Sequence, residues 1–139
     1  MRRPRQRGPC SVDEMHKAKR RIVVVDDDAS VRKALVRLLE TSSYDVQGFH
    51  SAGELLFGLS EGRPDCMIVD LQMPNMSGLE LQHKLARMGI QIPTIVITAH
   101  DEPVTRERCM AAGAAAYLLK PIRKAVLLTA IDMAIERST

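Results

Sequence analysis

Residues 22–40 read IVVVDDDASVRKALVRLLE. Ile22, Val23, Val24 and Val25 form an unbroken β-branched run, the composition of a strand buried on both faces. The run breaks on Asp26, Asp27 and Asp28, and Asp28 suits the N-cap of a following helix. Val31, Ala34, Leu35, Leu38 and Leu39 then recur at i, i+3, i+4, i+7 and i+8, which is one stripe of a helix. A buried strand, a cluster of acids and an amphipathic helix make one β-α unit, with the acids at the junction.

The same unit repeats along the chain. Val46 to Phe49 reads as a second strand, and Ala52, Leu55, Leu56 and Leu59 as a second helix ended by Gly62-Arg63-Pro64. Cys66 to Val69 is a third strand, and Leu81, Leu85 and Met88 mark a third helix capped by Ser77. Pro93 to Thr98 (PTIVIT) is a fourth strand. Pro103 suits the first turn of a fourth helix that stops at Gly113. Ala116 to Leu119 is a fifth strand, and Leu127, Ala130, Ile131 and Ala134 mark the last helix. Five alternating units with short connections predict an α/β fold, a parallel sheet with helices on both faces. Right-handed crossovers put every strand carboxyl end on one edge, where open sheets of this kind bind ligands.

Composition narrows the function classes. A chain of 139 residues with 45% hydrophobic residues suits one folded domain. It carries no apolar run of the roughly 18–20 residues that span a bilayer. Three widely spaced cysteines (Cys10, Cys66, Cys109) support neither a disulfide framework nor a zinc ribbon, so a reducing cytoplasm is expected. The net charge of +3 divides unevenly: residues 1–21 hold eight basic and two acidic residues, the remainder 12 basic and 15 acidic. The basic excess belongs to a leader, residues 1–20, read as disordered and lacking the apolar core of a secretory signal. Residues 21–139 form the folded domain. The remaining domain is mildly acidic, so no direct nucleic-acid binding and no membrane contact are expected of it. The leader, without aromatics to stack on bases, reads either as a solvated tail or as a weak tether to a phosphate backbone or an acidic partner.

The functional edge is legible residue by residue. Asp26, Asp27 and Asp28 end the first strand, Asp70 the third, Thr98 the fourth and Lys120 the fifth. Asp26, Asp27 and Asp70 crowd three negative charges against one lysine, and one acid would stay protonated unless a cation intervenes. A divalent ion balances the sum, and oxygen ligands without His or Cys favour Mg²⁺, with Mn²⁺ a substitute. Such a cleft with a lysine and a hydroxyl suits phosphoryl transfer, which depends on positioning and charge neutralisation. Asp70, alone at the end of a central strand, is the candidate nucleophile forming an aspartyl phosphate. The Asp26–Asp27 pair better suits metal holding.

These residues carry a resemblance. VVVDDD (23–28), DLQMPNMSGLEL (70–81), PTIVITA (93–99) and AYLLKP (116–121) resemble the receiver domain of two-component response regulators, over about residues 22–137. The stretches SGLEL (77–81) and GFHSAGELL (48–56) lean towards the nitrogen-fixation-type regulators. The resemblance implies a flavodoxin-like doubly wound (βα)5 fold with strand order 2-1-3-4-5. It implies that Asp70 accepts a phosphoryl group from a sensor histidine kinase, and that Mg²⁺ is held by Asp27, Asp70 and the Gln72 backbone carbonyl, with Asp26 acting largely through water. Thr98 would turn to the phosphoryl group, Tyr117 would rotate inward behind it, and the Lys120–Pro121 peptide would be cis. The face of the fourth helix, fifth strand and fifth helix would then form a homodimer or dock an output partner, with transcription regulation as an outcome. The relatives often carry a helix-turn-helix output domain, and no such segment occurs in this sequence.

Two rivals belong to other classes. An aspartyl-phosphate phosphohydrolase needs an acid two residues after its nucleophile, and that position is Gln72, so no turnover enzyme is expected. A phosphate-independent interaction module would be marked by loss of an acid or of the lysine, and none is lost. His100 reads equally as a residue of the cleft mouth and as a solvated loop histidine. Cys66 and Cys109 read as packing residues, and Met73 and Met76 as part of a mobile loop beside the cleft.

Overall fold

A computed structural model of the protein describes residues 19–138. The disordered-leader expectation therefore falls largely on residues 1–18, which lie outside the described residues. Exposed Lys19 and Arg20 run directly into the first strand. The chain order is β1 (Arg21–Val25), α1 (Ala29–Glu40), β2 (Asp45–Phe49), α2 (Ala52–Gly58), a 3₁₀ turn (Leu59–Glu61), β3 (Cys66–Asp70), α3 (Gly78–Arg87), β4 (Thr94–Thr98), α4 (Pro103–Ala111), β5 (Ala116–Leu119) and α5 (Lys124–Ser138). The strands form one parallel sheet in the order β2-β1-β3-β4-β5. That is the flavodoxin-like arrangement expected.

Alternation along the central strands sends side chains to two cores. Val23, Val25, Met67, Val69 and Val96 face α2, α3 and α4, where they meet Leu55, Leu81, Leu85 and Cys109. Ile22, Val24, Ile68, Ile95 and Ile97 face α1 and α5, where they meet Leu35, Leu39, Leu127 and Ile131. Each fully buried aliphatic side chain contributes roughly 1.5–3 kcal/mol relative to exposure. Continuous apolar runs in β1, β3 and β4 are thus the signature of strands covered on both sides.

Helix ends follow local chemistry. Asp28 caps α1 by accepting from the amides of Ser30 (2.9 Å) and Val31 (3.3 Å). Ser77 and Glu80 form a reciprocal capping box at α3. Pro103 opens α4 and Gly113, at φ +105°, turns the chain into β5. Two sequence expectations need correction. Ala34 is exposed, because Val36 instead leans on the core beside β2. Met88 is exposed because α3 ends at Arg87 and the chain turns there. Met73 and Met76 lie in the loop after β3, partly buried against the α2–α4 core.

Candidate functional site

Register places the site. Val25 of β1 lies opposite Val69 of β3, so the next residues on the two strands, Asp26 and Asp70, end adjacent strands side by side. Asp70 lies opposite Ile97 of β4, and Thr98 lies opposite Leu119 of β5. Asp26, Asp70, Thr98 and Lys120 are therefore brought to the carboxyl edge of four consecutive strands by strand pairing alone.

Asp26 is fully buried and fully bonded. Its amide donates to Phe49 O (3.1 Å), its Oδ1 accepts from the Asp28 amide (2.9 Å), and its Oδ2 accepts from Lys120 Nζ (3.1 Å). Its carbonyl accepts from Arg32 Nη1 at 2.7 Å. Asp27, one residue on, is exposed and makes no hydrogen bond among the described residues.

Asp70 is 5% exposed. Lys120 Nζ lies 3.4 Å from its Oδ1, and the Gln72 amide lies 3.5 Å from the same oxygen, the outer limit of a hydrogen bond. Burial and then the negative charge of Asp26 push the Asp70 carboxyl up to about 6, against the opposing pull of Lys120. For Lys120, burial alone would lower the ammonium. Its bond to Asp26 and the charge of Asp70 outweigh that, and the net direction is upward, so the lysine stays charged. One carboxylate oxygen from each of Asp26, Asp27 and Asp70 lies within 4.8 Å of the others. Three hard oxygen donors that repel one another fit a divalent cation of the Mg²⁺ type.

Thr98 is buried, and its hydroxyl is engaged with its own loop, donating to His100 O and accepting from the His100 amide, both at 3.2 Å. The His100 side chain is exposed, and its backbone is what serves the site. The Lys120 amide donates to Thr98 O (2.8 Å), and the Lys120–Pro121 peptide is cis. Tyr117 shares Thr98's face of the sheet, one strand over and two residues back in register. Its hydroxyl is shut from solvent without a well-formed hydrogen bond, and burial raises its pKa more than the Glu102 backbone lowers it. The Arg106 guanidinium stands 5.2 Å from the Tyr117 ring centroid and donates to both carboxylate oxygens of Asp101 at 2.9 Å.

Sequence reasoning missed Gly78. Added there, a Cβ would stand 2.7 Å from Asp70 O and 3.1 Å from Leu71 Cα, so α3 starts flush against the end of β3. The Gly78 amide donates to Leu71 O (2.9 Å), closing the turn that follows Asp70. The glycine after the cap serine was a visible signal; the close approach was not.

The model of the response regulator receiver domain matches residues 22–132. The chain belongs to that family. Nodulation protein W of Bradyrhizobium diazoefficiens is 39% identical over 116 residues, covering 84% of this chain and 51% of the relative. Response regulator protein TodT of Pseudomonas putida strain F1 is 35% identical over 130 residues, covering 92% of this chain and 57% of the relative. This receiver thus spans about half the length of the curated relatives it matches. The crystal structure of FixJ-N superposes with a TM-score of 0.79 at 36% identity, over 85% of this chain and 94% of that one. Receiver domains are signalling components of two-component systems that work with histidine kinases and output domains, and as a class they bind Mg²⁺ at an acidic pocket. They are not dedicated turnover enzymes. No helix among the described residues is long and apolar enough to cross a membrane.

Proposed function

We propose that this receiver takes a phosphoryl group on Asp70 from a phosphohistidine of a sensor kinase and converts it into a change of surface. The observation that carries this is the Asp26–Lys120–Asp70 arrangement, a charged lysine bridging two buried acids of which Asp70 has a raised pKa. A carboxyl pushed up to about 6 by burial and by the negative charge of Asp26 is an acid the fold has crowded, and a bound Mg²⁺ would supply the missing positive charge and ligation for phosphoryl oxygens. Asp26, Asp27, Asp70 and the Gln72 carbonyl are the residues that would hold it, with Mn²⁺ a substitute.

In the transfer, an Asp70 oxygen forms the new O–P bond as the P–N bond of the donor imidazole breaks, and the imidazole nitrogen keeps that electron pair. Lys120 Nζ, already beside Asp70, is placed to meet a phosphoryl oxygen. Thr98 exchanges its present bonds to the His100 backbone for a bond to the phosphoryl group, which biases the β4–α4 loop between two arrangements. Tyr117, whose buried hydroxyl lacks a strong partner, follows that loop.

Exposed Val104 of α4, Leu119 of β5 and Val126 of α5 put apolar surface on the elements proposed as the readout. That surface suits homodimerisation or docking of an output domain, with control of transcription as the outcome.

The test is labelling by acetyl phosphate, a small phosphodonor, with and without Mg²⁺. Labelling is expected only with the cation and only with Asp70 present. Label persisting in Asp70→Asn would place the acceptor elsewhere. A protein that neither labels nor responds to beryllofluoride with Mg²⁺ would be a passive interaction module.

A further inference from the structure

The fold grips the two adjacent acids of the β1–α1 loop very differently. Asp26 is held through its amide, its carbonyl and both carboxylate oxygens, whereas Asp27 is held by nothing of its own. Something must aim Asp27, since a free loop acid spends binding energy on being ordered. The peptide joining the two residues is planar, so fixing the Asp26 carbonyl also fixes the Asp27 amide and the direction in which Asp27 leaves the strand. The group that fixes it is Arg32, in the first turns of α1, whose 2.7 Å bond is shorter than any other side-chain bond of the site.

A second feature explains how Arg32 reaches that carbonyl. Its stem runs across β2 at Gly48, where a Cβ would stand 3.1 Å from Arg32 Cγ, 3.2 Å from Cδ and 3.3 Å from Val36 Cγ2. Glycine weakens a strand interior and marks a close approach. Here the approaching group is the arginine stem, and the bare glycine gives it a channel. We propose that Arg32, threaded over Gly48, is a positioning residue that orients Asp27 for the cation by pinning the Asp26 carbonyl. The proposal rests on the reading of Asp27 as a cation ligand.

Arg32 exerts two opposed effects. Its charge repels an incoming cation, and its hydrogen bond sets the ligand geometry. Gly48→Val separates them, because it keeps every charge, favours the strand and crowds the stem. The chain has no Trp, so Mg²⁺ titration of the full chain is followed through the backbone amide resonances of residues 26–28 and 70–72. Arg32→Met is expected to weaken Mg²⁺ binding about fivefold and Gly48→Val about threefold. In both variants the Asp27 and Asp28 amides should shift and exchange faster in metal-free protein while the melting temperature holds. Arg32→Lys, with the charge but without the reach of the fork, should recover part of the affinity at most. Unchanged or tighter Mg²⁺ binding in Arg32→Met, together with wild-type behaviour of Gly48→Val, would reduce Arg32 to a repelling surface charge and overturn the proposal. An absent Mg²⁺ response in the unmutated protein would instead sink the cation reading, and the positioning role with it.

Discussion

Asp65 and Asp70 stand at the two ends of the third strand, and their fates differ. Asp65, just before β3, accepts from the Arg21 amide at 2.8 Å and pairs with Arg20 at 3.9 Å, with its side chain 42% exposed. A surface pair of that kind contributes well under about 1 kcal/mol. Asp70 is buried against Asp26 and pushed up to about 6. The threonines of β4 repeat the contrast. Thr94 at the amino end donates to Ile92 O at 2.8 Å and closes a turn, while Thr98 at the carboxyl end is held by its own loop beside the acids. The same residue types on the same strands become scaffold at one edge and candidate chemistry at the other. Chain direction decides it: at the carboxyl edge, successive strands end in acids and a lysine that share one cleft, while at the amino edge the polar groups close separate turns.

The sharpest way to break this comparison is labelling. Asp70→Asn should lose all Mg²⁺-dependent incorporation from acetyl phosphate, and Asp65→Asn should label as the unmutated protein does, read by phosphate-affinity gel mobility. Equal labelling of the two variants would erase the functional difference between the strand ends.

Next in size is Lys120→Met. It leaves Asp26 and Asp70 buried without their cation, and should cost roughly 3 kcal/mol at pH 7 by urea unfolding. The loss should shrink near pH 4, where Asp70 is protonated.

Asp70 itself gives a smaller effect of opposite sign. Its folded pKa of about 6 exceeds the ordinary 3.8, so the folded state binds more protons between those values, and stability falls as pH rises through that window. Above it, the metal-free protein carries a penalty on the order of 2–3 kcal/mol from this group. Asp70→Asn should therefore stabilise the metal-free protein at pH 7.5, and the gain should vanish near pH 4. A gain that is independent of pH would show that crowding of the charge is not its cause.

Smallest are the threonines. Thr94→Ala should cost about 1 kcal/mol and leave labelling intact. Thr98→Ala should also still label, but with the beryllofluoride-induced amide shifts in α4 and β5 lost. Retention of those shifts would remove Thr98 from the switch.

The sequence by itself determined the fold class, because runs such as Val23-Val24-Val25 and Ile95-Val96-Ile97 satisfy only a sheet covered on both faces, and the helical stripes between them force parallel connections. It also determined which residues reach the carboxyl edge, since Asp26, Asp70 and Thr98 are each the first polar group after a buried run and Lys120 directly follows the last residue of β5. What tertiary structure alone decided is how those groups hold one another: Lys120 between Asp26 and Asp70, ninety-four and fifty residues away in sequence, Arg32 on the Asp26 carbonyl across Gly48, Gly78 flush against Asp70, and Arg106 over Tyr117. Apolar periodicity is a local property and survives in one dimension. A hydrogen bond to a particular carbonyl, or the room left by a missing Cβ, exists only once separate strands and helices have been packed side by side.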